Sequence, residues 1–437
     1  MGKYFGTDGV RGVAGETLTD TMAKQIGNAL KKTFKTDKVI IGEDTRKSSN
    51  LLALSVALGA MQSGMDVLYA GVVSTPMIAH YSKEKSIVGI MVTASHNPYQ
   101  DNGIKVFNKG IKMSADEEVI VEKFIDGEDT LEKRLFGGFK SVSITKTYET
   151  LYSRFKSDTT NQSVTIDTAN GATSFVAEEI LSKGIDELQV INNLPDGYNI
   201  NVECGSTHIE ALRKAVQANQ SDLGFAFDGD GDRVLGIDHQ GKIYDGDLLI
   251  YILAVHLKSQ NKLSKNTVVL TKMSNPGIVS ALKANGIKTI RTDVGDKYVV
   301  AEIKKGGYSL GGENSGHIIL NDILQTGDGI LVASQILKVL QETKKTLPSL
   351  VENVEYYPQK IVNIKDVDKT LLEHKMMKTA IKEAKKTLGT DSLLLVRPSG
   401  TEPLIRLMVS HRDDAMVDRV LKQLQDTLLE LGRENDA

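Results

Sequence analysis

Asp228-Gly-Asp-Gly-Asp232-Arg233 sets three carboxylates at alternate positions with glycines between them. Glycine accepts the backbone angles of a tight bend, so the loop can turn its carboxylates inward on one hard cation. An all-oxygen set of this kind suits Mg2+ or Ca2+. The flanking apolar runs 224–227 and 234–237 read as strands, which makes the acidic stretch a loop between them. An EF-hand calcium loop needs Gly at its sixth place and Glu at its twelfth, where Arg233 and His239 stand. A solvated acidic turn draws on the same residue types. The adjacent Arg233 favours a metal that also meets a phosphate.

Thr93-Ala-Ser95-His96-Asn97-Pro98 follows the apolar run 88–92 directly, which puts Ser95 at the carboxyl end of a strand. Open α/β sheets bind their ligands there. The Gly-x-Ser-x-Gly elbow of hydrolases is absent, and the sequence shows no separate His-Asp pair to serve such a nucleophile. A serine carrying a phosphoryl group would hold about −1.5 to −2 charges and would need a metal and cations close by. The aspartate loop offers the metal, and Asn102-Gly-Ile-Lys105 offers a cation. Taken alone, Ser95 equally suits a structural turn, and His96 a neighbour bonded to the backbone.

Three further loops carry weaker signals. Phe5-Gly-Thr-Asp-Gly-Val-Arg11-Gly12 could bring Arg11 and backbone amides up to an anion, or simply form a turn. Arg397-Pro-Ser399-Gly400-Thr401-Glu-Pro403 gathers a guanidinium, two hydroxyls and a glycine amide, chemistry that matches a phosphate dianion. A proline-bounded surface turn would look similar. Gly311-Gly-Glu313-Asn-Ser315-Gly-His317 offers a carboxylate and a hydroxyl for sugar hydroxyls, with an imidazole beside them. On its own, His317 suits a structural role equally well. No nucleotide P-loop sequence occurs.

The elements that must position these loops alternate along the chain. A helix starting at Thr19 or Asp20 turns Met22, Ile26 and Leu30 to one side, followed by a strand over 38–42 and a helix over 51–62. A strand over 164–167, a turn over 168–172 and a helix over 174–182 repeat the plan. So do a strand over 268–270, a helix from Asn275-Pro-Gly277 to Ala284, and a strand over 288–291. The end differs, with a strand over 404–409 and an amphipathic helix over 414–431 that faces Met416, Val420, Leu424 and Leu428 inward. The pattern is α/β with mixed or mostly parallel sheets and a smaller last α+β unit.

At 437 residues the chain exceeds one core, and the length prior is about three domains. Forty per cent hydrophobic and 25% charged residues fit a folded globular protein. A net charge of −3 gives no broad positive field for a nucleic-acid backbone, so phosphate must be bound locally. The sole cysteine, Cys204, cannot form an intrachain disulfide, and MGKYFGTDGVRG contains no apolar signal segment, so a cytoplasmic location is expected. No run approaches the roughly 18 apolar residues of a membrane span.

The five loops, in this order and over nearly the whole chain, resemble those of the α-D-phosphohexomutase superfamily, with Asn314 and Gly400 pointing to its glucosamine branch. The resemblance implies four domains around a central cleft, placed at 1–145, 146–245, 246–355 and 356–437. Three are similar α/β domains and the last a smaller α+β domain. It implies a phosphorylated Ser95 and one Mg2+ per active site, bound by Ser95, Asp228, Asp230 and Asp232. It places Arg11, Lys105, Arg233 and His317 in catalysis, with Lys105 and His317 as candidates for proton transfer. Glu313 and Ser315 are implied to hold the sugar, and Arg397, Ser399, Gly400 and Thr401 the distal phosphate. The implied partner is a small phosphosugar and the implied intermediate and activator is glucosamine 1,6-bisphosphate, on a route to nucleotide-sugar and cell-wall precursors. The resemblance admits a homodimer and an activating kinase, and involves neither nucleic acid nor membrane. Glucose and mannose phosphates remain the alternative substrates.

Overall fold

The computed structural model describes residues 2–131, 136–153, 160–365, 367–398 and 404–435. Two compact units divide the chain: Met1–Thr271 with Ile290–Leu350, and Lys272–Thr289 with Val351–Ala437.

The first unit opens with an eight-stranded mixed sheet. Lys38–Glu43, Asp66–Val72 and Val88–Val92 run parallel, and their apolar sequences lie under helices Asp20–Phe34 and Ser49–Gln62. Thr19 caps the first helix by accepting from the Met22 N–H, and Ile26 and Leu30 are buried as the spacing requires. These two helices cross at Gly27 and Gly59, where an added Cβ would stand 2.1 Å from the Val56 carbonyl and 2.0 Å from the Lys24 carbonyl. Two ordinary side chains could not occupy that crossing.

Strand Asp101–Asn108 returns antiparallel beside Val88–Val92, so residues 93–100 form a hairpin connection whose register sets Lys105 opposite Met91. Gly9–Val13 pairs on the other side with Arg11 opposite Gly103. Pleating and register therefore bring Ser95, Lys105 and Arg11 to one end of one sheet.

The next sheet has the order Ile185–Ile191, Thr160–Asp167, Leu223–Phe227, Val234–Asp238, Ile243–Tyr244. Its first three strands are parallel, whereas Leu223–Phe227 and Val234–Asp238 form an antiparallel hairpin with Phe227 opposite Val234. The aspartate loop is the tip of that hairpin, as its flanking apolar runs require. The helix expected over 174–182 is broken: a 3-10 turn over Ala172–Phe175 is followed by a short helix over Ala177–Leu181. The reason is local competition for backbone groups, because the Ala172 N–H donates to the Gly229 carbonyl at 2.8 Å and Thr173 Oγ1 to the Thr168 carbonyl at 3.3 Å. The third sheet repeats the device: Leu310–Gly312 lies parallel to Thr267–Thr271 and antiparallel to Ile318–Leu320. Residues 313–317 form the tip of the second of these pairs.

In the second unit, Gln359–Lys365, Leu404–Ser410 and Leu393–Pro398 form a three-stranded antiparallel sheet. Ile405, Leu407 and Val409 pack from it against Val420, Leu424 and Leu428 of the helix Asp414–Asn435. This is the smaller α+β element read from the sequence. Among the described residues, no helix is long and apolar enough to cross a membrane.

Asp328 is a buried carboxyl whose surroundings favour its protonated form. Asp328 caps the helix Gly329–Thr343 by accepting from the Leu331 N–H at 3.0 Å, and the Tyr148 hydroxyl donates to it at 2.8 Å. Burial pushes its pKa from 3.8 up to about 6. The folded state therefore holds this proton more tightly than the unfolded state, so its stabilising effect is full below pH 4 and is lost as pH rises through 6. Asp328→Asn keeps a capping side chain without the charge. Relative to wild type, its unfolding free energy should gain roughly 2–3 kcal/mol between pH 4 and pH 7, measured by urea unfolding across that range. A constant difference would show that Asp328 is not the titrating group.

Candidate active site

Backbone hydrogen bonds fasten the aspartate loop to its surroundings. The Asp230 carbonyl accepts from Thr75 N–H at 2.9 Å, Gly229 from Ala172 at 2.8 Å and Gly231 from Gly329 at 3.0 Å. Val234 N–H donates in turn to the Gly316 carbonyl at 3.1 Å, tying in the loop of Glu313 and His317. Gly229 lies so close to the serine loop that a Cβ there would stand 2.6 Å from the Ser95 carbonyl.

Ser95 is buried, and its Oγ donates to Asp228 Oδ2 at 2.5 Å. Its backbone sits at φ +54°, a left-handed conformation that a non-glycine residue adopts only with support. The support comes from outside the motif. Arg46 Nη2 donates to the carbonyls of Ser95 at 2.9 Å and Asn97 at 2.8 Å, while Nη1 donates to those of Pro98 and Asp101. Asn201 Nδ2 adds a bond to the Ser95 carbonyl at 2.9 Å. Asp44 balances the buried guanidinium, accepting from Arg46 Nε at 2.9 Å, and also accepts from Thr93 Oγ1 at 2.7 Å.

Charges are dense and mostly buried. Lys105 Nζ lies 2.8 Å from Asp230 Oδ2, 3.0 Å from Asp232 Oδ2 and 3.0 Å from Asp8 Oδ2. Burial favours the neutral amine, but the three carboxylates outweigh it and hold Lys105 protonated, its pKa well above the ordinary lysine range. Asp232 is opposed by burial in the same way and is nevertheless held well below the usual carboxylate range by Lys105 and His317. Asp228 goes the other way: burial, then the charges of Asp232 and Asp230, push it well above that range. Asp8 also pairs with Arg11 and with Lys112, and Lys112 pairs with Asp296.

His317 is buried with Nδ1 3.5 Å from Asp232 Oδ1, a His-Asp pairing that the sequence did not reveal. Burial works against its charge while Asp232 raises its pKa. Gly327 N–H donates to Nε2 at 3.1 Å, so the hydrogen-bond geometry places the ring's proton on Nδ1, facing Asp232. Charging the ring would break the Gly327 bond.

Asp228, Asp230 and Asp232 each offer a carboxylate oxygen within 4.8 Å of the others. Asp230 Oδ1 is buried without a hydrogen-bond partner. Three carboxylates, two of them, Asp230 and Asp232, with an oxygen lacking a hydrogen-bond partner and one with its pKa raised by burial and by the other two, fit a hard divalent cation with oxygen ligation. On the other side, the Nε atoms of Arg11 and Arg233 are buried without hydrogen-bond partners. His96 Nδ1 lies 3.4 Å from Ser95 Oγ, and the His96 pKa is pushed down to about 3 by burial and then by Arg233 and Arg11. A second cation is thus disfavoured beside Ser95, which is the field an anionic phosphoryl group would need.

Ser95, Lys105, Asp228, Asp230, Asp232 and His317 are brought together directly. Arg11 joins them through Asp8, and Arg233 through Asp228 and Asp232 at 4.0 and 3.9 Å. Glu313 Oε1 accepts from Gly295 N–H at 2.9 Å, and Ser315 Oγ is buried with no partner. Arg397 lies exposed at the end of a strand of the second unit. Ser399, Gly400 and Thr401 lie outside the described residues. Sequence reasoning missed Arg46, Asp44, Asn201, Lys112 and Asp296. Asp8 stood inside a quoted motif and still received no role.

Residues 2–132, 144–241 and 245–357 match the family models of the alpha/beta/alpha domains I, II and III of phosphoglucomutase/phosphomannomutase, and 357–427 match that of its C-terminal domain. The chain is 42% identical to the phosphoglucosamine mutase of Shouchella clausii, covering 98% of this chain and 99% of the relative. It superposes on the crystal structure of a Burkholderia thailandensis phosphoglucomutase/phosphomannomutase family protein with a TM-score of 0.82 at 22% identity, covering 97% and 96% of the two chains. It also superposes on Aspergillus fumigatus N-acetylphosphoglucosamine mutase in complex with GlcNAc-6P and magnesium, with a TM-score of 0.72 at 15% identity over 98% and 96%.

Arg46→Lys keeps a cation beside Asp44 but loses the planar fork that spans four carbonyls. Turnover number should fall by about tenfold or more while KM moves little, because no sugar-loop residue is touched. Steady-state kinetics decides, and an equal change in KM would contradict the assignment.

Proposed function

Because the chain belongs to the phosphoglucomutase/phosphomannomutase family, we propose that it interconverts glucosamine 6-phosphate and glucosamine 1-phosphate, with Ser95 carrying the phosphoryl group. The observation that carries this reading is Ser95 Oγ on Asp228 at 2.5 Å, between an acidic cluster fit for a metal and the cations Arg11, Lys105 and Arg233. The near full-length relationship to phosphoglucosamine mutases supports the choice of sugar.

In the proposed reaction, the Oγ–P bond of phospho-Ser95 breaks as O1 of the 6-phosphate sugar bonds to phosphorus, and the O1 proton is carried to the departing seryl oxygen. The resulting 1,6-bisphosphate turns over within the site and gives its 6-phosphoryl group back to Ser95, leaving the 1-phosphate. Mg2+ held by Asp228, Asp230 and Asp232, with a seryl oxygen, would supply charge neutralisation on the transferring phosphoryl group. Arg11 and Arg233 present guanidinium nitrogens that lack hydrogen-bond partners to the same charge. Lys105, kept charged by its three carboxylates, acts as a donor to oxygen. His317, with its proton on Nδ1, is the remaining proton-transfer candidate. Glu313 and Ser315 are assigned to the sugar hydroxyls, and Arg397, Ser399, Gly400 and Thr401 to the distal phosphate.

The reading extends to a cytoplasmic enzyme whose serine is first phosphorylated by a sugar bisphosphate or a kinase. A homodimer is part of it, supported by Leu51, Leu54 and Leu58, which stand 62%, 42% and 43% exposed along one face of helix Ser49–Gln62. The family models are those of phosphoglucomutase and phosphomannomutase, which keeps glucose and mannose 6-phosphates as the second reading.

Purified protein phosphorylated at Ser95 should turn over glucosamine 6-phosphate in preference to the glucose and mannose analogues, and Ser95→Ala should lose at least about a thousandfold. Preference for glucose or mannose would move the substrate and keep the chemistry; full activity in Ser95→Ala would remove the carrier. Chelation by EDTA should abolish turnover, with recovery on added Mg2+. Asp230→Asn should raise the Mg2+ concentration for half-maximal activity by about tenfold or more. Unchanged metal dependence in that variant would exclude Asp230 as a ligand.

A further inference from the structure

A cavity of 380 Å3 in the first unit lies beside the Lys112–Asp296 pair and contains no residue of the serine, aspartate or sugar loops. Ile111, Met113, Tyr298, Val300 and Ala301 give it apolar walls. Its size is within the range of small-molecule sites. Helix Asp296–Gly306 turns Lys297, Val300, Ala301 and Lys304 toward it, at spacings that share one helical face. An apolar patch therefore has an ammonium at each end, roughly 10 Å apart along the helix. Lys112 and Asp296 neutralise each other, which leaves Lys297 and Lys304 against Glu118 and a positive excess in the lining. Thr326 also lines the cavity, and its buried Oγ1 has no hydrogen-bond partner.

We propose that this cavity binds a small organic anion with an apolar, ring-sized body, and that Lys112 transmits its presence to the phosphoryl-transfer site. The acidic group would meet Lys297 or Lys304, and the body would rest on Val300, Ala301 and Tyr298. Lys112 lines the cavity while its Nζ pairs with both Asp8 and Asp296. Asp8 in turn holds Arg11 and Lys105. An anion held by Lys297 or Lys304 in the cavity that Lys112 also lines attracts the Lys112 ammonium and weakens its grip on Asp8, and so disturbs two cations of the reaction site without touching Glu313 or Ser315. This coupling rests on the phosphomutase reading, whereas the binding does not.

The chain contains no tryptophan. Tyr298→Trp therefore installs a single tryptophan, excited selectively at the red edge of the aromatic band, in the cavity wall, and 8-anilinonaphthalene-1-sulfonate serves as the anionic, apolar-bodied probe. Saturable one-to-one energy transfer from Trp to the dye is expected in the folded, full-length protein. The double variant Tyr298→Trp/Ala301→Phe, which fills the chamber from a solvent-accessible position, should lose that transfer while keeping its unfolding midpoint and its turnover without dye. Saturating dye should lower kcat severalfold in the Tyr298→Trp protein and leave KM for the sugar phosphate unchanged. Absent or non-saturating transfer, or equal transfer in the double variant, overturns the site. Dye that raises KM in direct competition with the sugar phosphate overturns its separateness, and unchanged kcat at full dye occupancy overturns the coupling through Lys112. Because energy transfer needs no turnover, a protein with no mutase activity would still report on the cavity.

Discussion

Three carboxylates cannot be gathered around one buried point unless positive charge is placed among them, and Lys105 is the charge that this chain builds in. Its ammonium meets Asp230, Asp232 and Asp8 at 2.8, 3.0 and 3.0 Å and is almost completely shielded from water. Desolvation makes each of these ions costly on its own, so the set holds together only as a set. Asp228 is left outside that compensation, and burial beside two like charges raises its pKa far above the usual range. The deficit of positive charge falls at the carboxylate that bonds to Ser95, where a divalent cation fits. Metal affinity and serine placement are therefore two results of one electrostatic imbalance.

The sheets solve a positioning problem that charge alone would make worse. Each of the three α/β sheets contains an antiparallel hairpin whose tip carries chemistry: 93–100, 228–233 and 313–317. A hairpin fixes its tip by register, and a slip of one residue would turn every side chain to the opposite face. The tips are then bound to neighbouring segments by backbone hydrogen bonds, such as Thr75 to Asp230 and Val234 to Gly316. Backbone bonds leave the side chains free, which is why Ser315 Oγ, Asp230 Oδ1 and Arg233 Nε can stay without hydrogen-bond partners. Unsatisfied polar atoms destabilise a fold, so those at the tips mark where ligands are expected to compensate.

Ser95 shows how strain is carried at such a tip. Its left-handed backbone would be unfavourable for an isolated serine, yet its carbonyl accepts from both Arg46 and Asn201, which come from sequence more than 45 and 100 residues away. Arg46 is a positioning residue: it reaches no reacting atom and instead holds the carbonyls around the serine loop. Asp44 completes the arrangement by bonding both Arg46 and Thr93. The nucleophile's geometry thus depends on a buried ion pair in the preceding strand-to-helix connection.

The sequence by itself determined the chemistry-bearing loops and most of the elements flanking them, because both are local. Alternating Asp and Gly, a serine after an apolar run, and apolar periodicities of two or 3.6 are written in neighbouring residues, and strands such as Val88–Val92 and helices such as Asp20–Phe34 follow. The broken segment over 172–181 was illegible for the opposite reason: its first turn answers to the carbonyl of Gly229, more than fifty residues on. The same holds for Arg46, Asn201, Lys112 and Asp296, ordinary polar residues whose partners are decided by how strands pair and sheets pack. Protonation is the clearest case. Asp228 and Asp232 occupy equivalent places in one short motif, yet one is pushed up and the other held down, since only the folded chain puts Lys105 and His317 beside the second. Residue type and spacing set which groups could do chemistry, and tertiary structure decided their charge, because charge in a buried site depends on distances that no local pattern contains.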